Sequence, residues 1–367
     1  MNITFTLLSI LLLMPSRMLL AAETTSPANS DTPRVAKFKD DRAAALSFTL
    51  DDNLRDQYDV AVPLLNKYGI HATFFVIPGR TPETNKEAAQ KKPGDWGGIS
   101  WPQLKELAAQ GHEIANHTWM HMTLIYTKDG KRVDIPTAAL EEQVAKGYNA
   151  IKEKIGLAPL TFCAPGNGVD DAVRAMALKY HLAVREKFTQ RFGDWPPTNK
   201  TFTAEQANVS VDRAITKGEA MIWMIHAITE GYNAVSSPAV IENHLKYVKS
   251  REDVLWVDTF ANVSRYTLER DAAKLTQSVS ENRATFTVEC PLDQTKFNYP
   301  LTVVIPVKGA QQASARMAGS EVALPVEVIK NRILVQVAPS REQVVVTWQN
   351  ATDMPPSAQP MPAKTNK

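Results

Sequence analysis

Residues 112–121 read His-Glu-Ile-Ala-Asn-His-Thr-Trp-Met-His, which places His117 and His121 four residues apart beside a short apolar run. On a helix that spacing is close to one turn, so both imidazoles would leave the same face. Two imidazoles need only one carboxylate to form a three-ligand site for a divalent ion with an open position. Asp51 and Asp52 supply candidates, because they close the strand-like run from Ala43 to Leu50. Each piece alone has a plainer reading: a surface histidine pair, and an Asp-Asp-Asn turn whose side chains bond their own backbone.

The order of the pieces carries more than either piece. Along the chain come Asp51-Asp52, then Asn116-His117-Thr118-Trp119-Met120-His121, then Cys163-Ala164-Pro165-Gly166-Asn167-Gly168, then Met224-Ile225-His226. That order resembles the polysaccharide deacetylase (NodB-homology) family of carbohydrate esterases, over about Ala36 to Arg270. The resemblance implies a base at Asp51, a metal ligand at Asp52, two more ligands at His117 and His121, and a general acid at His226. It also implies one divalent metal per chain, most simply zinc, and an acetylated oligo- or polysaccharide as substrate.

Two departures from the family pattern matter. The third motif has Cys163 where the family places an Arg that orients the base, although Pro165 is kept. Either another cation, Arg185 or Arg191, holds Asp51, or backbone N–H groups and Asn167 orient it. The fourth motif survives only as Asp194-Trp195, and the resemblance would give Asp194 a part in orienting the acid histidine. Tyr232, in the loop after His226, is a candidate for lining a sugar subsite.

The elements that must position these residues alternate short apolar strands with helical patterns. Strands are expected at 44–50, 73–76, 113–116, 161–164, 182–184, 221–225 and 255–257. Helices are expected at 54–68, 102–110, 137–155, 170–179, 203–217, 238–249 and 259–268. Gly69, Gly111 and Gly156 follow three of these helices, where a left-handed cap belongs. The pattern predicts an α/β fold, a distorted and incomplete (β/α)7 barrel, which is also the fold the resemblance implies. All four motifs then fall at C-terminal strand ends, the face on which such barrels place their sites.

After Ala273 the pattern changes to period-2 segments at 285–288, 301–305, 323–326, 333–337 and 344–348, which read as a small antiparallel β-domain over 274–350. Trp348 or Tyr299 could stack on a sugar there; the plainer reading makes both core residues. Residues 1–22 read as a signal peptide with an apolar run from Ile3 to Met14, though without a Lys or Arg ahead of it. An uncleaved anchor is the alternative. Residues 23–35 read as a linker and the proline-rich 351–367 as a disordered tail. The expected location is periplasmic or secreted, with no stable membrane insertion after cleavage.

A net charge of +2 and the lack of long basic runs give no sign of a nucleic-acid partner. Cys163 and Cys290 read as two free, mostly buried thiols, with a disulfide or a nucleophilic Cys163 as the alternatives. His112 reads as a capping or packing residue; His71, His181 and His244 lack carboxylate partners nearby in sequence and read as surface or satisfied histidines. Trp96, Trp101, Trp119, Trp195 and Trp223 cluster near the motifs, as sugar walls or as packing. The sequence points to metal-dependent removal of acetyl groups from an extracellular glycan, foremost N-deacetylation of N-acetylglucosamine units. O-deacetylation of a xylan-type polysaccharide, hydrolysis of a small cyclic amide, and non-catalytic glycan binding are the other readings.

Overall fold

The computed structural model describes residues 32–128, 131–133, 135–193, 201–235 and 237–350. In chain order the first half holds β1 (Arg34–Val35), β2 (Ala44–Asp51), α1 (Val62–Lys67), β3 (Thr73–Val76), α2 (Asn85–Ala88), α3 (Trp101–Ala109), β4 (Glu113–Asn116), β5 (Tyr126–Lys128), β6 (Lys131–Val133) and α4 (Thr137–Ile155). The middle adds β7 (Thr161–Phe162), α5 (Asp171–Tyr180), β8 (Ala183–Val184), β9 (Gln190–Arg191), α6 (Ala204–Lys217), β10 (Ala220–Ile225), α7 (Pro238–Lys249), β11 (Leu255–Val257) and α8 (Phe260–Ala272). Seven antiparallel strands follow: β12 (Lys274–Ser280), β13 (Arg283–Glu289), β14 (Leu301–Pro306), β15 (Ala310–Met317), β16 (Val326–Ile329), β17 (Arg332–Val337) and β18 (Ser340–Asn350).

Eight strands make one parallel sheet in the order β8-β7-β4-β3-β2-β10-β9, with β11 beside the first half of β2. β2 is buried along its whole length, as a strand covered on both faces must be. It pairs with β10 from Ala45 to Leu50, and with β3 only over its last three residues. The sheet is an open, incomplete barrel, as expected, and its first strand, β2, pairs with three others, β3, β10 and β11. The helices start where short polar side chains can close them: Ser100 and Thr203 each form a capping box, with Gln103 and Gln206. Gly156 ends α4 at φ 86.

Several expectations need correction. β9 is an unexpected strand; its two residues pair with Trp223 and Met224 of β10, too short a run to show in a pattern. The helix expected over 54–68 begins as a wide π-type turn at Gln57–Ala61 before α1. Pro63 has no N–H to donate back to Asp59, which removes one α-helical bond at that place. Residues 34–35, read as linker, form β1 against β14. The segment 323–326 contributes only a bridge between Ala323 and Arg316, and its strand starts at Val326, because Pro325 cannot donate to a ladder. β12 and β15 were not foreseen; their polar and alanine-rich sequences bury little and are recruited by β13 and β18. The expected signal peptide and tail lie outside the described residues. Among the described residues no helix is long and apolar enough to cross a membrane.

The antiparallel strands form two four-stranded sheets that share one apolar core with the barrel. Phe38, Ala45, Trp256, Val263 and Tyr266 pack into the same cluster as Phe286, Val303, Ile333, Val346 and Trp348. Trp348 is buried, and Tyr299 packs near Trp256 and Tyr266 with its hydroxyl on Asp258. Trp348 is therefore a core residue, and the half-buried Tyr299 packs against that core. Cys163 and Cys290 are free thiols; Cys163 is buried and Cys290 partly so.

At this seam Glu269 of α8 is buried, accepts from the Tyr299 N–H at 2.9 Å, and leaves its second oxygen without a partner. Burial pushes the carboxyl up to about 7, against the Tyr299 hydrogen bond and Arg265, which pull it down. The folded chain thus holds a proton that the unfolded chain releases near an ordinary glutamate pKa. Stability should fall as pH rises between those two values. Glu269→Gln is expected to match the wild-type melting temperature at pH 4 and to exceed it by a few degrees at pH 8; the same difference at both pH values would contradict the raised carboxyl.

Candidate active site

Five strand ends converge on one place. Asp51 ends β2 and Asp52 follows it, while His117, Cys163, Arg185 and His226 each directly follow β4, β7, β8 and β10. Their side chains meet because parallel strands in register bring their C-terminal ends to the same edge.

Asp52, His117 and His121 form a cluster that could hold a metal ion. The Nε2 atoms of His121 and His117 lie 3.0 and 3.4 Å from Asp52 Oδ1, and the three donor atoms are within 4.8 Å of one another. Asp52 Oδ1 is buried and makes no hydrogen bond. His117 Nδ1 faces the Cys163 carbonyl at 2.7 Å; donating there leaves Nε2 as the free donor toward the cluster. Burial works to raise the Asp52 carboxyl, yet His117 and His121 hold it far below the usual range. Burial likewise opposes a charge on His117, and Asp52 overrides it, raising the imidazole well above its ordinary value. A buried group of donors that draws positive charge this strongly, with one oxygen orphaned, fits a divalent cation.

The four-residue spacing of the histidines works differently from the helical expectation. No helix spans them: His117 leaves the strand and His121 sits in a loop. Thr118 and His121 both adopt left-handed backbone, φ 68 and 63, a costly conformation for such residues that must be held from outside. Asn116 does part of this, accepting from the Thr118 N–H at 3.1 Å and donating to the Val144 carbonyl. Gln143 of α4 binds the next two amides, Trp119 through its carbonyl and Met120 through its side chain. A Cβ at Gly147 would sit 2.3 Å from Asn116 Oδ1, so α4 can approach the loop only because that position is glycine.

Asp51 is held apart from the cluster by Arg185. The guanidinium donates from Nη1 to Asp51 Oδ1 at 2.7 Å and from Nη2 to Oδ2, with side-chain exposures of 0% and 4%. Thr49, Cys163 and Asn167 take its other contacts, and its carbon lies 4.7 Å from the Phe75 ring centre. Burial tends to raise the Asp51 carboxyl, and Arg185 overcomes it, so the group stays ionised below the usual range. Of the alternatives read from sequence, Arg185 is the cation in contact. Asn167 touches Arg185 and the Cys163 thiol, and Arg191 lies over the Phe188 ring. Pro165 is buried at the turn that carries Asn167.

His226 stands across the cluster, its Nε2 3.8 Å from Asp52 Oδ2. Burial lowers its pKa, against the pull of Asp51 and Asp52. Its Nδ1 finds no partner among the described residues; Asp194 and Trp195 lie outside them. Tyr232 packs edge-on against the imidazole at 5.0 Å and is 45% exposed. Trp96 packs against His121 at 4.3 Å with the two rings tilted, whereas Trp101 and Trp223 are core. His112, His181 and His244 are buried histidines whose ring nitrogens face Ala72 and Asn66, Ala177 and Asn116, and Trp223 and Asn208.

Two residues escaped sequence reasoning. Gln57 is fully buried, and its side-chain amide donates to the main-chain carbonyls of both Asp51 (2.7 Å) and His226 (3.0 Å). Asp56 accepts from the amides of Ile228 and Thr229 at 2.6 and 2.7 Å, fixing the loop that leads to Tyr232. Polar residues at the start of an expected helix look like solvent-facing surface in a sequence; only their burial marks them. Gln57→Ala is expected to lower kcat about tenfold with metal content unchanged, in line with a lost buried hydrogen bond. Arg185→Met should leave Asp51 buried without its cation, lower kcat at neutral pH, and move the acid limb of the pH profile upward. A folded variant with an unshifted profile would separate Arg185 from the state of Asp51.

Residues 38–184 match the family model described as polysaccharide deacetylase. A gellan lyase from Bacillus sp is 24% identical over 368 residues, 89% of this chain and 14% of that protein. A peptidoglycan-N-acetylglucosamine deacetylase from Bacillus cereus is 31% identical over 129 residues, 35% of this chain and 49% of that one. Among solved structures, a family 4 acetyl xylan esterase from Clostridium thermocellum with a cobalt ion aligns at TM-score 0.44 and 19% identity, over 61% of this chain and 91% of that one. The chain spans between 14% and 49% of the length of the curated relatives it matches. The segment that matches the polysaccharide deacetylase model contains Asp51, Asp52, His117 and His121.

Proposed function

We propose that this protein removes acetyl groups from an extracellular glycan by metal-dependent hydrolysis, foremost N-acetyl groups of N-acetylglucosamine units. The observation that carries the reading is the division of labour between adjacent carboxylates. Asp52 turns toward two imidazoles an oxygen that makes no hydrogen bond, while Arg185 binds both oxygens of Asp51. The similarity to the Bacillus cereus protein named for peptidoglycan N-acetylglucosamine supports the amide over the ester. The apolar run near the N-terminus supports export.

Asp52, His117 and His121 would hold the ion, one per chain, and two imidazole nitrogens with one carboxylate oxygen suit zinc. When bound, the ion supplies Lewis-acid chemistry, polarising an acetyl carbonyl and lowering the pKa of water. Asp51, ionised and fixed by Arg185, accepts the proton of the attacking water. His226, on the far side, delivers a proton to the departing nitrogen; its depressed basicity makes the imidazolium a willing donor. Each of these proton transfers should be worth about 10²–10⁴ in rate. Gln57 holds the two strand ends that carry these groups at a fixed separation.

Acetate release from chitooligosaccharides and from acetylated xylan, with chelated and zinc-restored enzyme, tests the reading. Release from chitooligosaccharides that stops on chelation and returns with zinc is expected. Release from xylan alone would move the reaction to ester bonds. Release that ignores chelation, or none from either glycan with metal bound, would overturn the proposal in favour of a small cyclic amide or a binding role.

A further inference from the structure

The rim of the site carries one cation that acetyl hydrolysis does not use. Arg80 ends the short turn Pro78–Arg80 after β3 and is exposed. Its guanidinium carbon lies 5.4 Å from the centre of the Trp96 ring. Trp96 is 38% exposed and stands against the His121 ring at 4.3 Å. The three side chains make a continuous row from the ligand cluster to solvent.

Backbone contacts fix this row. The Gly97 N–H donates to the Asp52 carbonyl at 3.1 Å and the Gly98 N–H to Asn53 at 2.7 Å, so the Trp96 loop hangs from the segment that carries Asp52. Gly97 has φ +64, and a Cβ there would lie 2.3 Å from the Arg80 carbonyl oxygen. On the other side the Gly79 N–H donates to the Trp119 carbonyl at 2.8 Å, tying the Arg80 turn to the loop of His121. Arg80 is thus positioned by both ligand-bearing segments.

Among the described residues no carboxylate pairs with Arg80: the Asp95 side chain accepts from the Lys92 amide instead, and the nearby Arg55 is engaged by Asp59 and two carbonyls. A guanidinium held over an aromatic ring keeps its planar fork of donors ready for a carboxylate and loses little freedom on binding one.

We propose that Arg80 binds a carboxylate on the sugar beside the one that loses its acetyl group, so that the preferred substrate is an acidic acetylated glycan. The substrate class rests on the deacetylase reading above; the anion site itself does not. Both are tested with wild type, Arg80→Gln and Arg80→Lys on chitooligosaccharides and on the same oligosaccharides oxidised to carboxylates at C6. Calorimetric binding of oligogalacturonate, which has no acetyl group, is measured alongside. Wild type should favour the oxidised substrate about tenfold in kcat/KM, through KM, from one charge-assisted contact. Arg80→Gln should erase that preference and weaken oligogalacturonate about tenfold, Arg80→Lys should keep part of both, and added salt should shrink the difference. Equal losses on both substrates, or a preference that survives Arg80→Gln, would overturn the proposal. No acetate release by wild type, with oligogalacturonate binding still dependent on Arg80, would keep the anion site and refute the deacetylase reading.

Discussion

The ion pair between Arg185 and Asp51 is the interaction on which the site depends. Both groups are almost wholly removed from water, and taking such charges out of solvent costs several kcal/mol per ion unless geometry and further hydrogen bonds compensate. Much of that is met here: the contact is two-pronged, Nη1 and Nη2 also reach Thr49 and Cys163, and Phe75 lies against the guanidinium, which leaves Nε as its buried unpaired donor. The pair joins the end of β2 to the end of β8, strands separated by three others in the sheet. It also decides how two carboxylates adjacent in sequence differ in chemistry. Asp51 is locked and ionised, so Asp52 alone is left to meet the histidines.

Around that pair the supporting contacts are backbone-directed. Asn116, Gln143, Gln57 and Asp56 each bind main-chain groups of segments that carry a functional side chain. Such contacts hold strained residues, including left-handed Asp52, Thr118 and His121, where the cluster needs them. Non-glycine residues in that region gather at functional sites because surrounding structure over-determines them. The second, antiparallel part of the molecule contributes through the shared core: β11 and α8 bury Trp256, Val263 and Tyr266 against it, which braces the opposite end of β2.

Much of this was legible in the sequence because the relevant signals are local. Strands β3, β4 and β11 fall at the residues their apolar runs predict, as do helices α4 and α7. The four motifs could be ordered along a barrel before any contact was known. What was not legible is long-range or two residues long. A cysteine at the position expected for arginine leaves room into which Arg185, from the next strand, reaches; sequence could name Arg185 and Arg191 as alternatives but not choose. The helical reading of His117 and His121 had the right consequence for the wrong reason, since spacing alone does not distinguish a turn of helix from a strand end with two left-handed residues. Gln57 and Asp56 were invisible because burial, not residue type, gives them meaning. β9, β12 and β15 lack apolar alternation and exist because a neighbour offers an edge.

The claim that adjacent carboxylates are divided between proton transfer and metal binding is tested most directly by titrating zinc into metal-free Asp51→Asn and Asp52→Asn by calorimetry. The account predicts one zinc per chain for Asp51→Asn at near wild-type affinity, and loss of that binding for Asp52→Asn. Equal binding by both variants, or loss on changing Asp51 with Asp52 intact, would contradict it.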